Sequence, residues 1–372
     1  MYDRLVIRRF YVHNFRCLEN FTLPIEGRSS TLLIGQNGTG KTTVGFALEI
    51  LQRIARGTNR VDELVKPKDL SRGRVDVPMR FEIEVELAGN IYAFILAFEF
   101  PKGSKELRVL DEQLTVAGEP VYTRDRAQIS LTRTGQEAKF LIDWQLVALP
   151  IIQEQSKDDP LYILKQWFAR MLILRPIPSL IWGDSIQETL QPNPQVTDFS
   201  AWFAGLMAYA PAAYSRIDYY LKQVMPDLKD IKNPLTGTHS RSLIVQFSNG
   251  QGNLSLPFED LSDGEKCFII WALVLGASEV YGPVFCFWDE PDNYLAPSEV
   301  GHFVIALGKA LQSGGQFIAT SHNLEAIRRF SEENTLVLYR SNHLEPTIVR
   351  PLDEFPVNGD LAGVLVRGDL VP

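Results

Sequence analysis

Cysteine and histidine are scarce in this chain of 372 residues, which holds three of the first and five of the second. The cysteines are odd in number, stand far apart at Cys17, Cys267 and Cys286, and have apolar neighbours. This pattern is typical of buried thiols and not of disulfides or a zinc site. The histidines form no pair at ligand spacing, so we expect no structural metal.

Long apolar runs are also missing. No stretch approaches the roughly 20 consecutive apolar residues of a membrane span. The N-terminal MYDRLVIRRF has charges among its apolar residues, where a signal peptide would have an apolar block. We therefore expect a cytoplasmic protein with no membrane partner. Hydrophobic residues make up 45% of the chain and charged residues 22%, which excludes a disordered or fibrous protein.

Positive charge is in deficit. Lys and Arg number 37 against 45 Asp and Glu, which gives a net charge of −8. A protein that acts on nucleic acid usually shows a basic face instead. A local basic patch could form only from Lys66, Lys68, Arg72 and Arg74, and we favour the simpler interpretation of a solvated loop. Nucleic acid is therefore a partner that the sequence leaves open.

Short β-rich runs fill the first third of the chain. Strands are predicted at 5–15, 21–25, 29–34, 79–87, 91–100, 110–116 and 121–123. Hairpin turns are predicted at 88–90 and 118–120. A helix is predicted from 42 to about 56, where Val44, Leu48, Leu51 and Ile54 recur at helical spacing.

The remaining chain divides into two further parts. Residues 140–240 are predicted to form a helical lobe, with helical spacing at 161–174 and 199–207 and prolines between. Strands at 242–247 and 253–257 then pair across Asn249 and Gly250. Helices at 265–275 and 298–311 alternate with buried strands at 284–288, 317–320 and 335–339, which predicts a parallel sheet. The chain is thus an α/β protein with an N-terminal lobe (1–139), the helical lobe (140–240) and a C-terminal lobe (241–372).

A glycine-rich segment follows the strand at 29–34 and matches GxxxxGK[ST] in full. Its glycines let backbone N–H groups wrap phosphates, and the next helix N-terminus favours negative charge. Lys41 would reach the β- and γ-phosphates, and the Thr42 hydroxyl would bind Mg²⁺. The predicted ATP-binding residues are Gly35, Gln36, Asn37, Gly38, Thr39, Gly40, Lys41, Thr42 and Thr43. A chance glycine-rich turn is the weaker alternative.

Two buried strands are predicted to end in polar residues at one edge of the sheet. The run VFCFW leads to Asp289 and Glu290, and FIATS leads to His322. Ligands bind at the carboxyl edge of parallel strands. Asp289 suits Mg²⁺, Glu290 suits a general base that polarises water, and His322 could bond the γ-phosphate. Glu290, His322 and Lys41 are therefore the predicted catalytic residues; solvated acids and a structural histidine are the alternatives.

The segment LSDGEK at 261–266 precedes a strongly apolar helix. Its small polar residues and glycine form a second anion-binding helix start. One nucleotide on one P-loop does not need a second cradle from the same chain, so Ser262, Asp263, Gly264 and Glu265 are predicted to serve the site of a partner chain. An ordinary N-cap by Ser262 or Asp263 is the alternative.

In their chain order, the four segments resemble the ABC ATPase family. LSDGEK resembles its LSGGQ signature and departs at Asp263 and Glu265, while Asn293, Tyr294, Leu295 and Pro297 resemble its D-loop. The N-terminal FYVHNFRCLENF is similar to the recombination-repair and SMC branch, and within it to bacterial OLD-like ATPases of phage-defence systems. The resemblance implies a P-loop ABC-ATPase head with a mixed sheet, an antiparallel β lobe and an inserted helical lobe. It also implies a head-to-tail dimer with two sandwiched ATPs and a Q-loop glutamine, for which Gln113 is the candidate.

We expect two features of the resembled proteins to be missing. SMC-like ATPases insert a long coiled coil, whereas residues 140–255 hold proline-broken helices without heptads. OLD nucleases append a nuclease domain, and the 50 residues after His322 are too few for one. We expect a sensor or scaffold ATPase, a homodimer or higher oligomer, with a separate effector protein. The alternatives are a DNA-repair ATPase that clamps DNA and the nucleotide-binding subunit of a transporter; the acidic charge argues against the first and the N-terminal resemblance against the second.

Overall fold

Two units make up the part of the chain that the computed structural model describes, namely residues 6–133, 136–296, 298–301, 304, 314–330 and 332–355. The first unit comprises residues 6–171 and 332–355 as far as they are described. The second unit lies within Leu172–Phe330. The second unit is thus inserted into the sequence of the first.

The elements are numbered in chain order. The strands are β1 Val6–His13, β2 Phe21–Leu23, β3 Ser30–Ile34, β4 Met79–Leu87, β5 Asn90–Glu99, β6 Arg108–Val116, β7 Glu119–Asp125, β8 Gln128–Arg133, β9 Gln136–Leu141, β10 Leu172–Leu174, β11 Asp184–Ser185, β12 Leu228–Lys232, β13 Arg241–Ser242, β14 Ile244–Ser248, β15 Asn253–Pro257, β16 Phe285–Trp288, β17 Gln316–Thr320, β18 Thr335–Tyr339 and β19 Ile348–Pro351. The helices are α1 Lys41–Ala55, α2 Val61–Leu64, α3 Pro160–Arg170, α4 Phe199–Tyr209, α5 Ala213–Val224, α6 Asp263–Tyr281 and α7 Leu324–Arg329. Residues 298–301 and 304 are also helical, and the rest of the helix predicted at 298–311 lies outside the described residues.

Alternating apolar side chains build the antiparallel sheet of the first unit. It runs in the order β2-β1-β4-β5-β6-β7-β8-β9, and every second side chain of β4 is buried. Successive side chains of a strand point to opposite faces, so this alternation places one face of the strand in the core. Two-residue turns with positive φ join β4 to β5 at Ala88–Gly89 and β6 to β7 at 117–118. Both predicted hairpins are therefore confirmed. The second turn is shorter than predicted, because Glu119 and Pro120 already belong to β7. Two-residue turns are common in hairpins because their backbone twist matches that of the strands.

The strand that leads into the glycine-rich segment lies in a separate group of strands of the first unit. β3 pairs in parallel with β18, and β18 pairs antiparallel with β19. Helix α1 follows the glycine-rich segment and packs against α3. The Arg56 side chain at the end of α1 donates to the carbonyl of Ala169 at 3.0 Å, and the Gln52 amide donates to that of Met171. The predicted strand, loop and helix are thus confirmed and held in place by α3.

Three parallel strands form the centre of the second unit. β16 lies between β10 and β17, and all residues of the three strands are buried. Nearly continuous apolar sequence is typical of parallel strands with both faces covered. Helix α6 packs against α4 and α5, and a Cβ on Gly276 would lie 2.8 Å from the Ile217 side chain, so glycine permits this close approach. β14 pairs antiparallel with β15, which confirms the hairpin predicted there.

Residues 140–240 are less uniformly helical than predicted. Helices α3, α4 and α5 lie in this stretch, but strands β10 and β12 interrupt it. The helix predicted at 161–174 ends at Arg170, and Leu172–Leu174 form a strand that pairs with β16. Such a short apolar run cannot be assigned from periodicity alone, because the pairing strand decides its conformation. The division of the chain into three lobes remains a prediction.

Candidate active site

The glycine-rich segment between β3 and α1 has a backbone that only glycine allows at two points. Gly35 and Gly40 have φ values of 148° and 99°. A Cβ on Gly35 would lie 2.2 Å from the carbonyl oxygen of Leu338, and one on Gly40 would lie 2.7 Å from the Cys17 sulfur. Side chains are therefore excluded by both conformation and space. The segment forms a loop whose exposed residues are Gln36, Asn37 and Gly38.

Lys41 is the first residue of α1 and is largely buried. Its ammonium group donates to the carbonyl oxygens of Gly35 at 2.8 Å and of Gln36 at 3.1 Å, so it lies over the loop. The Thr39 hydroxyl donates to the same Gln36 carbonyl at 2.9 Å. No side chain of the described residues caps the N-terminus of α1, where the half-buried Thr42 and Thr43 follow Lys41. The positive end of the helix and a lysine thus meet at one loop, as phosphate binding requires.

The second unit brings the predicted acidic residues into one hydrogen-bonded group. The Thr320 hydroxyl donates to the carboxylate of Asp289 at 2.6 Å and accepts from the backbone N–H of Glu290 at 2.9 Å. The backbone N–H of Asp289 continues the strand ladder to Leu174 at 2.8 Å. One hydroxyl at the end of β17 therefore holds both residues that follow β16.

Glu290 has a left-handed backbone conformation, with φ of 51°. Such a conformation is costly for a residue with a side chain and persists only where the surroundings enforce it. One carboxylate oxygen lies 3.2 Å from Nε2 of His322, and the other accepts a hydrogen bond from the Asn293 amide. About a third of the Glu290 side chain and 38% of the His322 side chain are exposed. The predicted base and the predicted histidine are thus direct neighbours that solvent and ligands can reach.

The LSDGEK segment begins α6 with a complete capping box. Ser262 is the N-cap: its hydroxyl accepts from the backbone N–H of Glu265 at 3.3 Å, and its own N–H donates to the Glu265 carboxylate at 2.8 Å. Asp263 is the first helical residue, so the N-cap is Ser262 alone. A Cβ on Gly264 would lie 2.9 Å from the Tyr294 carbonyl oxygen, so the D-loop-like segment packs on this helix start. Pro297 lies outside the described residues. The predicted service to a partner's nucleotide stays a prediction.

Sequence reasoning missed a buried acid beside this group. Asp292 is 3% exposed and accepts a hydrogen bond from the Ser321 hydroxyl at 2.5 Å, while its other oxygen, Oδ1, has no partner among the described residues. Burial raises the pKa of Asp292, the nearby charge of Glu290 raises it further, and the Ser321 bond opposes the shift. The sequence offered one indication of this contact, namely the two hydroxyl residues Thr320 and Ser321 before His322. It does not show which loop these hydroxyls contact.

The Q-loop candidate and the candidate basic patch are not part of these groups. Gln113 is paired with Ile95 and Thr123 in the middle of β6, and not in a loop as a Q-loop residue would be. In the candidate basic patch, Arg72 pairs with Glu19 at 2.7 Å, and Arg74 pairs with Glu19 and Asp76. Half of the patch is thereby neutralised, which agrees with the solvated-loop interpretation.

A strand, phosphate-type loop and helix in one unit, and a buried strand that ends in Asp289 and Glu290 beside a histidine in the other, define an ABC- and SMC-like P-loop ATPase head. The chain belongs to the family described as "AAA domain, putative AbiEii toxin, Type IV TA system", whose model matches residues 30–328, more than half of the chain. This membership makes the matched part of the chain an ATPase domain of the AAA type.

Solved structures of SMC heads have the same fold. The SMC head bound to the C-terminal winged-helix domain of ScpA is 14% identical with a TM-score of 0.56, over 94% of this chain and 98% of that one. An SMC head with an extended coiled coil, bound to the C-terminal domain of ScpA derived from Pyrococcus furiosus, is 11% identical with a TM-score of 0.54, over 94% and 97%. At these identities the likeness concerns the fold alone.

One curated relative matches part of the chain. The zinc import ATP-binding protein ZnuC 1 of Hahella chejuensis is 29% identical over 128 residues, or 34% of this chain. The match spans about half of that protein, 48% of its length. In the described part of this chain, none of the helices has the length and apolar character that a membrane crossing needs.

Proposed function

We propose that the chain binds Mg-ATP on the loop Gly35–Thr43 and hydrolyses it with Glu290 as the general base. The observation that carries this proposal is the geometry of Glu290. Its N–H is held by Thr320, its carboxylate is held by His322 and Asn293, and a third of its side chain is open to a ligand. A base that orients attacking water must be fixed and accessible in this way.

The donor sets of the two units fit the groups of Mg-ATP. Gly35 and Gly40 keep the loop free of side chains that would block phosphates, and Lys41 supplies the positive charge. Thr42 and Asp289 offer the hydroxyl and carboxylate oxygens that Mg²⁺ prefers, and they stay the predicted ligands. The bound ion would supply neutralisation of the phosphate charge.

Glu290→Gln tests the role of the base. ATP binding should stay within about twofold, because shape and hydrogen bonding are kept, while turnover should fall about 10²- to 10⁴-fold. Lys41→Ala should instead weaken binding itself. Glu325→Gln changes another glutamate of the second unit, bound to Arg329, and should leave both quantities unchanged. A Glu290→Gln protein with normal turnover would remove Glu290 from its role.

The proposed assembly is a head-to-tail dimer in which the start of α6 completes the partner's ATP site. One chain carries two phosphate-binding helix starts, α1 and α6, and one γ-phosphate would use both. The Ser262 hydroxyl is exposed at the surface although it takes part in the capping box. A donor of this kind supplies about 2.7–4 kcal/mol to a transition state, so its loss should cost about a hundredfold in rate.

Mixing two inactive variants tests the shared site. Lys41→Ala destroys one element and Ser262→Arg the other, and a mixed dimer keeps one intact site. Random exchange should restore about a quarter of the wild-type activity if one site can turn over alone. Ser255→Arg is the matched control, because it makes the same change at an exposed serine of β15 in the same unit, and it should stay active. A flat mixing curve with confirmed subunit exchange would contradict the shared site.

The proposed role is that of a sensor or scaffold subunit in a multi-protein phage-defence system with a separate effector. The family description, a putative toxin of a TA system, supports a system of more than one component. The similar SMC heads are bound to a separate protein, ScpA. The second candidate is a DNA-clamping repair ATPase, which the SMC-like fold favours and the half-neutralised basic patch disfavours.

ATP turnover with and without duplex DNA separates these roles. Clamping through 6–10 phosphate contacts would make the affinity for the stimulating DNA fall about 10³- to 10⁵-fold between 50 and 200 mM salt. For the effector role we expect no such stimulation. We expect instead a partner protein that co-purifies with Glu290→Gln in ATP but not with Lys41→Ala. Steep, salt-dependent stimulation would favour the DNA clamp.

A further inference from the structure

The back of the P-loop is held by a hairpin from the other end of the chain. Thr347, just before β19, is buried, and its hydroxyl donates to the carbonyl oxygen of Thr39 at 2.8 Å. The backbone N–H of Thr347 donates to the carbonyl of Cys17 at 2.9 Å. Cys17 belongs to the N-terminal segment FYVHNFRCLENF, so Thr347 joins this segment to the P-loop.

The contact is tight on both sides. A Cβ on Gly40 would lie 2.7 Å from the Cys17 sulfur and 3.1 Å from the Thr347 hydroxyl. Farther along the same hairpin, the Leu338 carbonyl lies 2.2 Å from the Cβ position of Gly35. Arg72 holds the hairpin loop by donating to the Leu344 carbonyl at 2.6 Å. The hairpin therefore touches the P-loop at its first and last glycines.

The bond from Thr347 fixes the direction of one N–H group. The carbonyl of Thr39 and the N–H of Gly40 belong to the same planar peptide, and in a trans peptide they point in opposite directions. Because the carbonyl is held against the hairpin, the N–H of Gly40 points away from it, to the front of the loop. Inward-directed N–H groups are what a phosphate-binding loop requires.

We propose that Thr347 is a positioning residue for nucleotide binding: its hydroxyl orients the Thr39–Gly40 peptide so that Gly40 N–H faces the phosphates. The inference rests on the proposed phosphate-binding role of the P-loop. Thr347 itself does not touch the nucleotide, and it has no part in the hydrolysis chemistry of the second unit.

Thr347→Val tests this role, because it keeps the shape of the side chain and removes the donor. The dissociation constant for Mg-ATP, and KM with it, should rise about tenfold while kcat changes less than about twofold. Thr347→Ser restores the donor and should restore affinity. Thr31→Val makes the same change in β3 at a buried hydroxyl that bonds to no atom in the described part of the chain, and it should leave affinity unchanged.

A purely structural role for Thr347 would lower the unfolding temperature without changing affinity, and that result would overturn the proposal. If the valine variant does not fold, Thr347→Ala removes the same hydroxyl without an added methyl group and must show the same loss of affinity. Lys41→Ala, measured alongside, distinguishes a failure of the proposed P-loop function from a failure of the positioning role of Thr347. Unchanged affinity in Lys41→Ala contradicts the P-loop function itself, whereas lost affinity there and normal affinity in Thr347→Val contradicts only the positioning role.

Discussion

The P-loop of the first unit and the group around Glu290 in the second unit are held by different kinds of interaction. In the first unit, the P-loop is shaped by its backbone: glycines fit against a carbonyl and a sulfur, and the lysine bonds to main-chain oxygens. In the second unit, the residues after β16 and β17 are held by side chains, through Thr320 to Asp289 and His322 to Glu290. The P-loop therefore depends on close packing and backbone direction. The group around Glu290 depends on individual hydroxyl and carboxyl groups.

This contrast predicts which substitutions disrupt the P-loop and which disrupt the group around Glu290. A backbone cradle tolerates changes at its exposed positions but not the addition of one methyl group where a glycine is enclosed. A side-chain network tolerates small changes of volume but not the loss of a hydrogen-bonding group, because a buried partner is then left unsatisfied. Three substitutions test the contrast, in decreasing order of expected effect.

Gly40→Ala should have the largest effect. The added Cβ would lie 2.7 Å from the Cys17 sulfur at a φ of 99°, so the loop must move. We expect Mg-ATP affinity to fall more than about a hundredfold, a loss of about 3 kcal/mol by calorimetry. Gly57→Ala is the matched control, since Gly57 also has positive φ but nothing within 4 Å of its Cβ position. If both variants lose the same affinity, the loss in Gly40→Ala cannot be assigned to the contact of its Cβ with the Cys17 sulfur.

Thr320→Val should have an intermediate effect, and on turnover instead of binding. It removes the hydroxyl that bonds Asp289 and the backbone of Glu290. Leaving these groups unsatisfied costs about 1–3 kcal/mol. We expect kcat to fall about 10- to 100-fold, as steady-state kinetics would measure, and affinity to change little. Thr320→Ser should recover most of kcat; a failure of serine to do so would point to the methyl group of Thr320 instead.

Asp292→Asn should have the smallest effect, on stability. Because the pKa of Asp292 is raised in the folded protein, the native state binds its proton more tightly than the unfolded chain does. The wild type then loses stability as pH rises through the folded pKa, whereas asparagine has no proton to lose. We expect the variant to gain about 2–4 °C in unfolding temperature relative to the wild type as the pH rises above the ordinary pKa of an aspartate.

The control for that measurement is Asp260→Asn, which changes an exposed aspartate of the same unit. Its unfolding temperature should follow the wild type at every pH. A stability difference for Asp292→Asn that does not change with pH would mean that the Ser321 bond, and not the buried charge, dominates at this position.

The parts of the site that the sequence predicted are local in the chain. The P-loop spacing and the buried run before Asp289 each specify a strand end and the residues after it, so β3, α1, β16 and β17 were predicted correctly. The approach of His322 to Glu290 followed from the expectation that parallel strands end at one edge.

The parts that the sequence did not predict depend on which loops meet. Thr347 contacts Thr39 across 308 residues, and Ser321 contacts Asp292 across 29. Neither pair has a spacing pattern that marks it. Strand β10 was missed for a similar reason: three apolar residues fit a helix or a strand until β16 pairs with them.

The late position of the hairpin in the sequence has a consequence for synthesis on the ribosome. β3 directly precedes the P-loop. Its partner strand β18, and Thr347, whose hydroxyl bonds to the P-loop, are translated about 300 residues later. At about 5–20 residues per second, the nascent P-loop waits roughly 15–60 seconds for them. During that time the motif is present without the contacts that shape it. Nucleotide binding should therefore be acquired only after this hairpin has been translated.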